Sequence, residues 1–156
     1  MTPSHERRTW PDFIAIIIVG TMAFIIVSLF TTCAPAHSSE HVVTLPSDKH
    51  ARLMPHFTAK EFACKHCGIR KVSGNLLYKL ELLRKELNSP IYINSGYRCE
   101  HHNKEVGGAK YSQHQLGRAA DIRVKGYTPK QVAQSAKKIG FSFIKIYKYH
   151  VHVDVR

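Results

Sequence analysis

One uncharged apolar run, FIAIIIVGTMAFIIVSLF at residues 13–30, restricts this chain more than any other feature. Its length is close to the ~20 apolar residues that a membrane-crossing helix needs, and exceeds the ~7–15 of a secretory h-region. Arg7 and Arg8 precede the run, so the positive-inside rule keeps residues 1–12 in the cytoplasm and sends the rest across. The expectation is a single-pass signal anchor over residues 13–31 of the inner (cytoplasmic) membrane, with the remainder facing the periplasm or cell exterior. Ala34 and Ala36 make a weak A-x-A site and Cys33 a poorly matched lipidation site, so export after signal cleavage is the alternative.

Residues 32–50 include HSSEHVVTLPSDKH, polar and without helical periodicity, and read as a linker. The folded unit is then 51–156, about one small domain, which can build an adequate core without disulfides. It carries 20 Lys and Arg against 7 Asp and Glu, a net of +13. Such an excess usually raises nucleic acid as a partner. Behind an export signal the expected partner is instead an anionic envelope polymer or lipid surface, and no nucleic acid. The sequence carries no signal for oligomeric state.

Within the unit, Thr58-x-x-Glu61 is a capping-box pattern, so a short helix is expected from about Ala59. Leu76, Leu80, Leu83 and Leu87 recur at steps of four, three and four, one apolar stripe of a helix closed by Asn88 and Pro90. IYIN (91–94) reads as a strand. A further helix is expected from Thr128, with Pro129 at its first position and Gly140 just past its end. FIKIY (143–147) and HVHVDV (150–155) read as two more strands. The fold class is α+β: a small, mainly antiparallel sheet with peripheral helices.

The chemistry concentrates in 95–124, SGYRCEHHNKEVGGAKYSQHQLGRAADIRV. His114 is followed by a turn at Gly117 and an apolar strand start carrying Asp121. A chain that turns there can bring both side chains to one metal ion. A catalytic zinc site uses three protein ligands, so one is missing, and the last eight residues, YHVHVDVR, offer it. Alternation places His150, His152 and Asp154 on one face of an extended segment and Val151, Val153 and Val155 on the other. A solvated strand edge would show the same alternation, and only the 95–124 block tips the reading toward a site.

SQHQLGRAAD fits the pattern S-x-H-x-x-G-x-A-x-D, with SGYR upstream and HVHVD downstream. In these three blocks, in order over roughly 55–156, the sequence resembles the M15 family of zinc D-alanyl-D-alanine peptidases. The resemblance implies the small α+β fold shared with Hedgehog signalling domains, and cleavage of peptide bonds in peptidoglycan peptides as carboxypeptidase or endopeptidase. It implies one catalytic zinc held by His114, Asp121 and His152, and a substrate-holding, carbonyl-polarising role for Arg98. His150 matches a histidine that lies beside the metal without ligating it. Several family members carry a carboxylate three residues before the last ligand, where this chain has Tyr149. His150 and Asp154 are therefore the candidates for proton transfer, and Asp154 is equally a candidate for orienting a ligand. The alternative function is a non-catalytic cell-wall-binding module that keeps its zinc.

Three cysteines stand apart from this chemistry. Cys64 and Cys67 form C-x-x-C, and after a 31-residue gap Cys99 is followed by His102. That ligand set suits a second, structural zinc at Cys64, Cys67, Cys99 and His102. In an oxidising exterior, a disulfide from Cys99 to Cys64 or Cys67 is the rival and is expected ahead of that zinc, as are free thiols.

Overall fold

The computed structural model describes residues 41–45 and 48–156. The expected anchor at 13–31, with Arg7, Arg8 and Cys33, lies outside the described residues. Among the described residues, no helix is long and apolar enough to cross a membrane.

The chain forms an α+β domain around a four-stranded antiparallel sheet. Its strands are β5 (Ile91–Ser95), β6 (Ala119–Val124), β7 (Phe143–Ile146) and β8 (Val151–Asp154), in the order β5-β6-β8-β7. Two antiparallel pairs accompany it: β1 (Val42–Thr44) with β4 (Lys71–Ser73), and β2 (Arg52–Met54) with β3 (Phe57–Thr58). The central strands β6 and β8 are the most apolar, and Ala120, Ile122, Val151 and Val153 are fully buried. Alternation is lost in β6, whose residues are buried on both faces except Arg123, as expected for an interior strand.

Helix α1 (Gly74–Glu86) follows the leucine spacing, and Leu76, Leu80 and Leu83 are at most 1% exposed. Its N-cap is Ser73, whose hydroxyl accepts from the Leu76 amide at 3.3 Å. It ends at Asn88, the one described non-glycine residue with positive φ (42°). Helix α3 (Pro129–Ile139) carries the expected signals: a Thr128–Gln131 capping box, Pro129 in its first turn and Gly140 in the left-handed conformation. It packs on α1, β7 and β8, and one hydrophobic core joins both helices to the sheet. The Thr58-x-x-Glu61 box also forms, with the Glu61 carboxylate accepting from the Thr58 amide at 2.7 Å. It caps a 3-10 turn, Ala59–Phe62, rather than an α-helix.

Three differences from the sequence reading have physical reasons. Part of the stretch read as linker is β1, which pairs Val42 with Ser73 and Thr44 with Lys71. Three residues are too few for periodicity to show. Helix α2 (Glu100–Glu105) was not expected because EHHNKE has no apolar stripe. It is started by Cys99, whose sulfur accepts from the His102 amide at 3.5 Å, and braced by a Glu100–Lys104 pair at 2.7 Å. His150 falls outside β8, in the turn after β7, where its carbonyl accepts from the Tyr147 amide at 2.9 Å.

The segment that leaves β5 runs tightly against the 3-10 turn Ala59–Phe62. A Cβ on Gly96 would lie 2.7 Å from the Phe62 Cα, and the next amide, Tyr97, donates to the Phe62 carbonyl at 3.1 Å. Backbone cannot yield as a flexible side chain does. Gly96→Ala is therefore expected to lower stability by about 1–3 kcal/mol, the usual range for overpacking. Urea unfolding monitored by circular dichroism would show an earlier midpoint with an unchanged slope.

Candidate metal centre

Strand pairing places two of the three sequence-derived donors side by side. Asp121 on β6 and His152 on β8 are direct cross-strand partners, the arrangement that brings two side chains closest on one sheet face. His114 comes from the 3-10 turn Gln113–Leu116, which Gly117 closes in the left-handed conformation at φ 70°. A Cβ at Gly117 would also press on the Lys71 carbonyl carbon at 3.1 Å, so glycine is required there twice over. The turn is tied to the strand segment beside it: the Arg98 amide donates to the His114 carbonyl at 3.2 Å.

The three donors form a nearly regular triangle. His114 Nε2 lies 3.2 Å from His152 Nδ1 and 3.3 Å from Asp121 Oδ1, and His152 Nδ1 lies 3.0 Å from Asp121 Oδ1. Ligands on a tetrahedral zinc ion, with bonds of ~2.0–2.2 Å, stand about 3.3–3.6 Å apart, a little wider than this triangle. The donor set therefore fits zinc in both chemistry and spacing.

Hydrogen bonds behind the donors set their protonation. His114 Nδ1 is 2.7 Å from the Gly96 carbonyl. A carbonyl only accepts, so Nδ1 carries the proton and Nε2 presents a lone pair. His152 Nε2 faces Asp154 Oδ2 at 3.4 Å, which leaves the Nδ1 lone pair for the metal. Asp154 is wholly buried and receives Arg156 Nε at 3.1 Å and Nη2 at 2.6 Å. Both of its oxygens are thus engaged, one by Arg156 alone and one by Arg156 and His152.

Arg98 donates Nε to the Ser95 hydroxyl at 2.8 Å, and its Nη2 pairs with Asp121 Oδ2, the oxygen facing away from the histidines. In the metal-free protein, where protonated imidazoles can donate to it, burial would raise the Asp121 carboxyl, but hydrogen bonds from His114 and His152 and the charges of His114 and Arg98 hold it well below the usual carboxylate range. The carboxylate is therefore charged and available as a ligand at any physiological pH.

The donors open into a cleft of about 710 Å³ whose walls include Arg98, Tyr111, Phe143, Lys145 and His150. The structure thus brings Arg98, His114, Asp121, His150, His152 and Asp154 to one cleft. Their situations differ: His150 lies on the wall, its ring stacked on Tyr147 at 4.4 Å, whereas Asp154 is enclosed behind His152. Tyr149, at the position of the family's carboxylate, is exposed in the turn and does not line this cleft. Sequence reasoning did not identify the Gly96 carbonyl, Ser95 or Arg156. The first two stand in the SGYR block, whose arginine alone drew attention. Arg156 belongs to no motif.

Two outcomes follow from this geometry. Asp154→Asn should weaken zinc binding by about 10–100-fold, as loss of a carboxylate behind a ligating histidine does; competition with a chromophoric chelator measures it. The second concerns the metal-free protein. A carboxyl whose folded pKa is depressed stabilises the fold above about pH 4 and withdraws that contribution as pH falls toward its folded value. Wild-type protein in chelator should therefore lose stability on acidification below about pH 4, and Asp121→Asn should flatten that limb. Chemical denaturation at a series of pH values tests it.

Comparison with known proteins identifies the family. The model of the peptidase M15 family matches residues 55–155. A zinc D-Ala-D-Ala carboxypeptidase of Streptomyces albus G is 35% identical over 79 residues. That similarity covers 50% of this chain and 31% of the relative, so the chain matches about a third of that protein's length. The family match takes in the three donors, the cleft and the whole four-stranded sheet, and the chain belongs to the peptidase M15 family of zinc-dependent hydrolases.

Proposed function

We propose that this protein cleaves peptide bonds in peptidoglycan stem peptides or cross-links, as a carboxypeptidase or endopeptidase. The observation that carries the reading is the preassembled triangle of His114, Asp121 and His152 on the floor of an open cleft. The similarity to a zinc D-Ala-D-Ala carboxypeptidase supports the substrate class. Zinc held by these three residues would supply a Lewis acid that polarises a scissile carbonyl and activates water at neutral pH.

The remaining tasks fall to the chain's own side chains. Arg98 borders the cleft with its charge beside Asp121, where it steadies the ligand and favours negative charge developing on a carbonyl oxygen. His150 is the better placed of the two proton-transfer candidates. It faces the cleft, while both oxygens of Asp154 are taken up by Arg156 and His152. Asp154 then serves as the positioning residue that fixes the His152 tautomer. The charge surplus of the domain suits an anionic envelope polymer. The apolar run at 13–30 supports a location on the outer face of the cytoplasmic membrane, held by that segment.

Digestion of purified sacculi, with products identified by mass spectrometry, tests the reading. Wild type should release free D-alanine or split cross-links, and His114→Ala should lose both zinc and cleavage. Binding to sacculi without any product would instead support the non-catalytic module, for which the absence of a carboxylate at Tyr149 is the argument. His150→Ala should keep its zinc, lose about 10²–10⁴-fold in kcat and flatten the pH–rate profile, as expected for a general acid–base group.

A further inference from the structure

A second set of metal-capable side chains lies outside the catalytic cleft. Cys64 and Cys67 occupy a tight turn between the Ala59–Phe62 segment and β4. It is closed by the Cys64 amide donating to the Ile69 carbonyl at 2.8 Å and the Gly68 amide donating to the Cys64 carbonyl at 2.9 Å. Cys99 joins them as the residue that starts α2. The three sulfurs lie within 4.8 Å of one another, and all three are free thiols, so the disulfide expected as a rival does not form in this structure.

A histidine lies beside one of the three thiols. His102 Nδ1 is 3.5 Å from Cys64 Sγ. On a tetrahedral zinc ion with Zn–S of ~2.3 Å and Zn–N of ~2.0–2.1 Å, sulfur and nitrogen stand about 3.5 Å apart. His66 Nδ1 also approaches a thiol, Cys99 Sγ at 3.4 Å. However, His66 is exposed and its ring is stacked on His101 at 4.2 Å. His102 is half-buried on α2, one turn beyond Cys99. Backbone amides already point at the sulfurs, from Cys99 to Cys64 at 3.4 Å and from His102 to Cys99 at 3.5 Å, as structural thiolate sites require to offset concentrated negative charge.

We propose that Cys64, Cys67, Cys99 and His102 form a second, structural zinc site that fastens the Gly96–Cys99 segment to the Cys64–Gly68 turn. The consequence reaches the first site through the chain itself. Gly96 supplies the carbonyl that orients His114, Arg98 pairs with Asp121, and Cys99 is the next residue. Closing a loop of more than thirty residues with a metal also removes disorder from the unfolded chain. The proposal stands on the thiol cluster alone and does not depend on the catalytic reading.

The test uses the full-length chain loaded with zinc or cobalt(II). Wild type should bind about two zinc ions, and Cys99→Ser about one, since each ligand set holds one ion. Cobalt-loaded wild type should show the near-ultraviolet thiolate-to-metal charge-transfer band. His114→Ala/His152→Ala should keep that band, and Cys64→Ser or Cys99→Ser should lose it. His102→Ala should shift it while His66→Ala leaves it unchanged. Should the cysteine variants fail to fold, N-ethylmaleimide labelling of the wild type gives the same answer. Zinc should protect three thiols, and a chelator should expose them. Equal labelling with and without zinc, a band unaffected by the cysteine substitutions, or a mass two daltons low from a disulfide would each overturn the proposal.

Discussion

The cross-strand pairing of Asp121 with His152 is the constraint on which the rest of the site depends. It exists only because β6 and β8 are neighbours in one register, and a slip of one residue in either strand would turn its donor to the other face. The register is held by burial of Ala120, Ile122, Val151 and Val153. Hydrophobic packing thus fixes which two metal donors stand side by side. His114 needs a separate device, a 3-10 turn ended by a left-handed glycine, because no strand leads to that corner of the triangle. Three carboxylate and imidazole groups so close together would be costly if left without partners. Arg98, the Gly96 carbonyl and Asp154 supply those partners, and Arg156 in turn neutralises Asp154.

Much of this was legible in the sequence, for identifiable reasons. The leucine stripe of α1 and the Thr128–Pro129–Gly140 punctuation of α3 are local signals, and local backbone preferences produce both helices. His114, Asp121 and His152 could be singled out because a motif fixes their spacing and the terminal alternation places His152 on the polar side. Burial then departs from that alternation: Asp154, on the polar side of the pattern, is fully enclosed. Its enclosure follows from sheet neighbours Ala119 and Phe143 and from Arg156 folding back on it. The strand contacts are not local in sequence, and the Arg156 contact, though only two residues away, carries no motif.

The features that were not legible share that non-local character. β1 is three residues long and is a strand only because β4 offers it a partner. α2 has no apolar face, and its position is set by Cys99 and the residues packed behind it. The Gly96 carbonyl is a backbone atom, which no side-chain motif reports. The three cysteines sat between rival readings because spacing alone cannot say whether thiols converge in pairs or as a group.

The two carboxylates of the site now have separate tasks. Asp121, held ionised by cations and imidazoles, presents one oxygen to the donor triangle and the other to Arg98. Asp154 faces the reverse side of His152 with both oxygens engaged, which leaves His150 as the better candidate for proton transfer on the cleft wall. Zinc-edge anomalous diffraction from crystals of the zinc-loaded chain tests the central claim most directly. An anomalous peak about 2.0–2.2 Å from His114 Nε2, Asp121 Oδ1 and His152 Nδ1 is the predicted result. No peak at that triangle, or a peak bound through His150 or Asp154 in place of one of the three, would contradict it.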